Sequence, residues 1–405
     1  MITRIEIDGF KTFDDFSLDL PPFLVLLGAN GSGKSNLLEA VDLLGRLILK
    51  PNSQTLVRHV RRGGPRELFR RRPGGELMEE IRIGAAVLVQ THRFGLLHLR
   101  VDATIGYREA PEPLAVDLSV RAIPNRVPGL RPDVTGGSDE YAEALNQDDG
   151  SVRGLNRAVS LELKHAAAGW RILDPVASAM RQPSDAYDSE PLAEDGRNFG
   201  AVLGHLWERD PEGRAAFEAD VAAVLPDVRE IAVVRDEDRA LWDVWVRHKN
   251  EPRVSPRAVS AGTLRTISLL AAAHDPRDPG VLMVEEPENG LHPSRVPRLL
   301  ERIGACATDL RHYESPDPHV SPYGRDPALR QILVTSHSPV VLASLLDRSP
   351  HDVVFLDTVT RLGGGAPPTR LTRARTVAET GERGTYVTPM EVHQYLNPVG
   401  YAHGA

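Results

Sequence analysis

Cysteine is nearly missing from this chain: Cys306 is the single one among 405 residues. An internal disulfide framework is therefore excluded and a reducing compartment is expected. The apolar setting of Cys306 suits a buried small hydrophobe better than a reactive thiol. Long apolar runs are also lacking. No stretch reaches the roughly 18 apolar residues a transmembrane helix needs. The opening Met1-Ile2-Thr3-Arg4-Ile5-Glu6-Ile7-Asp8 alternates like a strand, without the apolar core of a signal peptide. A cytoplasmic protein with no membrane partner is the expectation. An excess of positive charge is missing too: 48 Lys and Arg stand against 56 Asp and Glu, a formal charge of −8. Nucleic-acid binding over the whole surface is thereby excluded, and any DNA contact must be regional. No heptad pattern is sustained over several turns, which excludes a long coiled-coil arm, and no repeating unit is visible.

What is present is organised around Gly28-Ala29-Asn30-Gly31-Ser32-Gly33-Lys34-Ser35. The apolar run Phe23–Leu27 precedes it and the helical run Asn36–Val41 follows, so the order is strand, glycine loop, helix. That is the phosphate-loop pattern in the context it requires, where backbone N–H groups and a helix N-terminus can surround a triphosphate. The helix carries Leu37, Leu38, Val41, Leu43, Leu44, Leu47 and Ile48 and is expected to stop before Pro51.

Two alternating strands, residues 2–8 and 16–20, lead into the loop strand, and Ile81–Val89 and Phe94–Ile105 read as two more. Residues 107–157 are rich in Pro, Gly, Asp and Asn and read as an insertion of strands and long loops. Short strands are expected at Leu161–Leu163 and Trp170–Leu173, helices from Asn198 through Leu206 and from Pro211 to Leu225, and a strand pair at Val228–Val234 and Leu241–Val246. Ser315–Asp326 reads as an exposed connector. The division expected is a head made of residues 1–106 and 225–405, with 107–224 as an inserted α+β lid or arm.

Three later segments add chemistry. Val259-Ser260-Ala261-Gly262-Thr263-Leu264-Arg265 leads into the apolar helix Ile267–Ala273, and a Ser-x-Gly start can bind an anion through hydroxyl, amides and helix dipole. Val281–Val284 is a buried strand ending in Glu285 and Glu286. One such acid can hold Mg²⁺, and its neighbour can orient an attacking water as general base. Asn289-Gly290-Leu291-His292-Pro293 then turns into the next helix, and the buried strand Gln331–Ser336 delivers His337 at its carboxyl end, where open α/β sheets place ligands.

This order, phosphate loop, Ser-x-Gly helix, Glu-Glu strand, Thr-x-His strand, is that of ABC-type ATPase heads. It resembles most the short AAA-family ATPases of the RecF/SMC/OLD-like group, whose stretches SDGTLR, EEPENGLHP and THSP stand here as Ser260–Arg265, Glu285–Pro293 and Thr335–Pro339. The opening Ile7-Asp8-Gly9-Phe10-Lys11-Thr12-Phe13 is similar as well. The resemblance covers roughly residues 1–105 and 225–360. It implies an α/β P-loop head of ABC type, a mixed sheet with flanking helices, and ATP and Mg²⁺ as cofactors. It further implies that the loop Gly28–Ser35 with Asn36 binds ATP, that Lys34 contacts the β- and γ-phosphates, and that Ser35 and Glu285 hold the metal. Glu286 would be the catalytic base and His337 would sense the γ-phosphate. Ser260, Ala261, Gly262 and Thr263 would complete the site of a second protomer, so hydrolysis would require an ATP-dependent homodimer or higher oligomer. Two positions depart from the pattern: Ala261 stands where the family has Asp, and Glu285 where transporters have Asp. No Mg²⁺-contacting glutamine is identified, since Gln90 ends a strand.

The implied role is a dimeric switch or sensor in DNA metabolism or anti-phage defence, working with a separate nuclease-like effector. Only 68 residues follow His337, too few for the nuclease domain fused to OLD proteins, and no second acidic cluster is among them. The alternative is the ATPase subunit of a membrane transporter, against which stand the Phe10-Lys11-Thr12-Phe13 opening, Thr263-Leu264-Arg265 and the long insertion. A regional basic patch does exist. Arg58, Arg61, Arg62, Arg66, Arg70, Arg71 and Arg72 occur against the single acid Glu67. That density suits contact with DNA or a partner, and equally a solvated loop.

Overall fold

In this computed structural model the described residues are 1–59, 64–72, 75–91, 95–107, 114–125, 127–128, 130, 157–277, 280–313, 329–346, 348–363, 366–378, 380–382 and 384–396. The Ser315–Asp326 connector and most of the 107–157 segment lie outside them. In chain order the strands begin with β1 (Ile2–Asp8), β2 (Phe16–Asp19), β3 (Phe23–Leu27), β4 (Glu80–Thr91), β5 (Gly95–Tyr107) and β6 (Leu114–Ala122). Next come β7 (Arg171–Leu173), β8 (Ser184–Asp185), β9 (Val228–Asp236), β10 (Leu241–His248) and β11 (Arg253–Val254). The last are β12 (Val281–Glu285), β13 (Gln331–Ser336), β14 (Val353–Gly363), β15 (Ala366–Val377) and β16 (Tyr386–Val387).

Among the described residues these strands form three sheets. The sheet that carries the site runs β16-β15-β14-β3-β13-β12-β7. Its centre, β14, β3, β13, β12 and β7, is parallel, and β14–β15 is an antiparallel hairpin. Alternate residues of the central strands enter two different cores. Leu24, Leu26, Val281, Met283 and Leu333 face one, with the helix Lys34–Leu49 and the antiparallel sheet β2-β1-β4-β5-β6. Val25, Leu27, Leu282, Val284, Ile332 and Val334 face the other, with the helices Phe199–Arg209, Pro211–Val224, Ala261–His274 and Val296–Ala305. Burial on both faces is why these strands read as continuous apolar runs rather than alternating ones. The fold is that of a P-loop ABC-type head.

Several sequence expectations shift. Leu161–Leu163, expected as a strand, lies within the helix Arg157–Ala168. Val159, Leu163 and Ala167 are buried at four-residue spacing while Leu161 is 61% exposed, a helical face and not a pleat. The segment 107–224, read as an inserted lid or arm, is tied into both main sheets: β6 pairs with β5, and β7 pairs in parallel with β12. Proline and glycine content marked a boundary there, but strand pairing crosses it. The strands β9 and β10 pair as expected, yet they belong to a separate sheet with β8 and β11.

Candidate nucleotide-binding site

Strand register brings the motifs to one edge. Leu27 of β3 lies opposite Ser336 of β13, and Glu285 of β12 opposite Thr335 of the same strand. The glycine loop, Glu286 and His337 therefore leave the parallel sheet side by side at its carboxyl end. In the loop, Gly33 has φ +105, a backbone that side chains rarely adopt, and a Cβ there would lie 2.3 Å from Thr372 Oγ1. Gly33 offers the following helix no side-chain cap, which leaves first-turn N–H groups for a ligand.

Lys34 is 7% exposed. Its Nζ donates to the carbonyls of Gly28 (2.7 Å) and Ala29 (3.0 Å), groups that stand where phosphate oxygens would compete for it. Burial pulls its pKa below the ordinary lysine value against the opposing pull of Glu286, Glu288 and Glu285. Ser35 Oγ donates to Glu285 Oε2 at 3.4 Å, so the two candidate metal ligands already face each other. Ser32 Oγ is buried without a partner among the described residues.

Glu286 has φ +45, uncommon for a residue with a side chain, while its N–H donates to Thr335 O at 2.9 Å. The peptide thus extends the ladder with β13. Its carboxylate is held at both oxygens: Oε1 by His337 Nδ1 and Oε2 by Asn289 Nδ2, each at 2.8 Å. Burial pushes this carboxyl up, but the bonds from Asn289 and His337 outweigh it and hold it below the usual carboxylate range. It is ionised at neutral pH, and the three residues expected to be catalytic, Lys34, Glu286 and His337, lie at one edge of the sheet. His292, by contrast, turns away and binds Ser294 through Nδ1, capping the short turn that follows.

The signature start is built differently. Ser260 is exposed and caps the helix Ala261–His274, its Oγ accepting from Thr263 N at 3.1 Å. Gly262 is buried against the turn after the acidic strand: a Cβ on it would lie 1.8 Å from Gly290 O, so no other residue fits. No hydrogen bond joins Ser260–Thr263 to the glycine loop among the described residues.

Of the arginine cluster, Arg66 stacks on Tyr107 (5.1 Å to the ring centroid) and donates to its hydroxyl. Arg70 is 6% exposed, pairing with Asp14 at 3.4 Å and donating to Arg370 O. Arg70 is thus committed inside the molecule, while Arg66 stays exposed. Arg71 and Arg72 are exposed. Arg58 lies in the last turn of the helix Ser53–His59, and Arg61 and Arg62 lie outside the described residues. Gln90 accepts from Tyr313 Oη at 2.6 Å.

Several groups escaped the sequence reading. Thr372 of β15 donates to Ser32 O (3.0 Å) and meets Thr12 Oγ1 (2.7 Å), which in turn accepts from Asn36 Nδ2. No local pattern marks Thr372, because only the hairpin brings it to the loop. Glu288, the third acid of the Glu-Glu-Pro-Glu stretch, accepts from Ser336 Oγ, and burial raises its carboxyl pKa. Arg265 joins the signature helix to the acidic strand, donating to Asp174 (2.9 Å), to Pro175 O (2.8 Å) and to Glu285 O.

With this geometry in place, a family profile described as "AAA domain, putative AbiEii toxin, Type IV TA system" matches residues 138–343, just over half of the chain. The chain belongs to that AAA family. A second profile, "AAA ATPase domain", matches residues 1–56 of this AAA chain and takes in the glycine loop. No curated protein sequence matches. Among solved structures, an Smc head bound to the C-terminal winged-helix domain of ScpA aligns with TM-score 0.55 at 12% identity, over 93% of this chain and 98% of that one. The Smc head domain with a coiled coil and joint from Pyrococcus yayanosii aligns with TM-score 0.50 at 9% identity, over 99% of both chains. At such identities they establish the fold alone: this AAA-family chain has the fold of an Smc head, a P-loop head of ABC type. No described helix is long and apolar enough to cross a membrane.

The residues present fit a magnesium nucleotide. An uncapped helix start, a lysine turned onto loop carbonyls, an orphaned Ser32 hydroxyl and the facing pair Ser35–Glu285 are the donors such a ligand would need.

Proposed function

We propose that this chain hydrolyses ATP in a composite site formed by two copies, and that it acts as a switch or sensor in DNA metabolism or anti-phage defence with a separate nuclease-like effector. The observation that carries the hydrolytic reading is the Glu286 carboxylate, held by His337 and Asn289 at the same sheet edge as Lys34. Lys34 and the first-turn amides would hold the phosphates, and Ser35 and Glu285 the Mg²⁺. Bound Mg²⁺–ATP supplies the electrophilic phosphorus and neutralises developing charge. Glu286 orients the attacking water and takes its proton at a carboxylate oxygen, and His337 fixes the orientation of that carboxylate.

The exposed Ser260, capping a helix start whose Gly262 packs on the Glu286–Gly290 turn, supports action in trans. A second copy can place this anion-binding start over the first copy's glycine loop. In the candidate DNA or partner cluster Arg66, Arg71 and Arg72 are exposed, and Arg58, Arg61 and Arg62 belong to it by sequence.

Steady-state phosphate release with Glu286→Gln tests the reading. Removing the base lowers turnover by about 10²–10⁴-fold, while the binding groups stay in place. The variant therefore accumulates as an ATP-bound dimer on gel filtration. Monomer alone at saturating ATP, or unchanged phosphate release, sinks the proposal.

A further inference from the structure

Away from the nucleotide site, three helices of the second core bring together a cluster with no part in the chemistry above. Asp220 comes from Pro211–Val224, His274 is the last residue of the signature helix Ala261–His274, and Cys306 follows Val296–Ala305. His274 Nε2 lies 2.8 Å from Asp220 Oδ2 and 3.9 Å from Cys306 Sγ. All three donor atoms are within 4.8 Å of one another. The His274 and Asp220 side chains are 13% and 12% exposed, and the Phe217 ring stands edge-on to the imidazole at 6.4 Å. We propose that Asp220, His274 and Cys306 bind a divalent transition metal of the zinc class, with water as fourth ligand, stapling the tail of the signature helix to its two neighbours.

The geometry is close to what such an ion requires. Bond lengths of about 2.0–2.3 Å in a tetrahedral site separate donor atoms by about 3.3–3.6 Å. Asp220 and His274 need to part by about half an ångström, while Cys306 Sγ needs to approach His274 by a few tenths and to close on Asp220 from within 4.8 Å, to reach that spacing. Arg302 Nη1 sits 3.4 Å from Asp220 Oδ1, the oxygen not facing His274, and can steady the carboxylate from behind. One nitrogen, one carboxylate oxygen and one sulfur favour zinc over the magnesium of the nucleotide site. A carboxylate and a thiolate together neutralise the ion. Burial pushes the Cys306 thiol up to about 11, so it is protonated in the metal-free protein and binding releases that proton to solvent.

The single cysteine makes the test specific. The untagged full chain, stripped with a chelator and free of nucleotide, is titrated with Co²⁺ and then with Zn²⁺. The expected result is a thiolate-to-cobalt charge-transfer band with tetrahedral visible bands, saturating at one ion per chain and displaced by Zn²⁺. The 14 histidines can capture cobalt elsewhere, but only Cys306 can give the thiolate band. Cys306→Ser, a one-atom change, weakens Zn²⁺ binding by about 100-fold or more, beyond the usual effect of an outer partner, and abolishes the Zn²⁺-dependent rise in Tm. Its metal-free Tm matches that of the parent, which separates lost ligation from misfolding. Absence of the thiolate band in the parent chain, or an equal Zn²⁺-induced rise in Tm in Cys306→Ser, overturns the proposal.

Discussion

Glu286 sits in a left-handed backbone conformation with both carboxylate oxygens engaged. The turned backbone has a consequence for its neighbour: Glu285 still points as a strand residue toward Ser35, while Glu286 is swung toward His337. Two adjacent acids thereby face different tasks. Such a conformation costs on the order of 1–3 kcal/mol and persists only where the surroundings enforce it, here the Thr335 carbonyl and the Asn289 amide. The same Asn289 bond opposes the effect of burial on the carboxyl. Removing it with Asn289→Ala leaves burial less opposed, so the Glu286 pKa rises. A base with a raised pKa is protonated at higher pH, so activity fails earlier on acidification. The acid limb of the kcat/KM profile should therefore move upward in this variant, while in the parent the Asn289 and His337 bonds hold the carboxyl below the usual carboxylate range. Superimposable pH profiles would sink this account of Asn289.

At the scale of elements, the glycine loop rests on parts far apart in sequence. The hairpin β14–β15 lays Thr372 against Ser32 and Thr12, and Thr358 Oγ1 reaches Gly31 O at 3.4 Å. Replacing Thr372 by Val keeps the shape and deletes the donor to the loop. A hydrogen bond of this kind contributes about 0.5–1.5 kcal/mol, so affinity for a non-hydrolysable ATP analogue should fall about 3–10-fold. Titration with a fluorescent analogue measures it, and unchanged affinity would leave the hairpin as a bystander.

The contrast with the loop itself explains what could be read beforehand. Leu24–Leu27, Val281–Val284 and Ile332–Val334 are buried on both faces; the first two runs end directly at Gly28 and Glu285, and the third is followed by Thr335, Ser336 and then His337. Thr372, Arg265 and the tie of β7 to β12 depend on pairing between distant segments, which leaves no local period. The helix Arg157–Ala168 was hidden for a related reason. Its fully buried apolar residues, among those described, are Val159, Leu163 and Ala167, a face too narrow to stand out over the polar residues between them.

For the whole molecule the proposed composite site rests on a separation within one chain. Lys34 lies with Glu286 and His337, whereas Ser260 is exposed and bonded only within its own cap among the described residues. Arg265 nevertheless ties the signature helix to the Glu285 carbonyl, so a ligand engaged by one copy's signature can influence that copy's own acidic strand. If the halves meet in trans, two separately inactive chains should repair each other. Ser260→Arg blocks the signature but keeps the loop, and Lys34→Ala does the reverse. A mixed dimer of the two has one site with both parts intact and one with neither. Random pairing at equal concentration makes about half of all dimers mixed, and a two-fold dimer carries two equivalent sites, so ATPase activity should return to about a quarter of the parent value. If both halves worked within one chain, no mixture could exceed the sum of its components. Phosphate release across a mixing series, with each variant alone as baseline, distinguishes the two arrangements, and a flat series rules out the composite site.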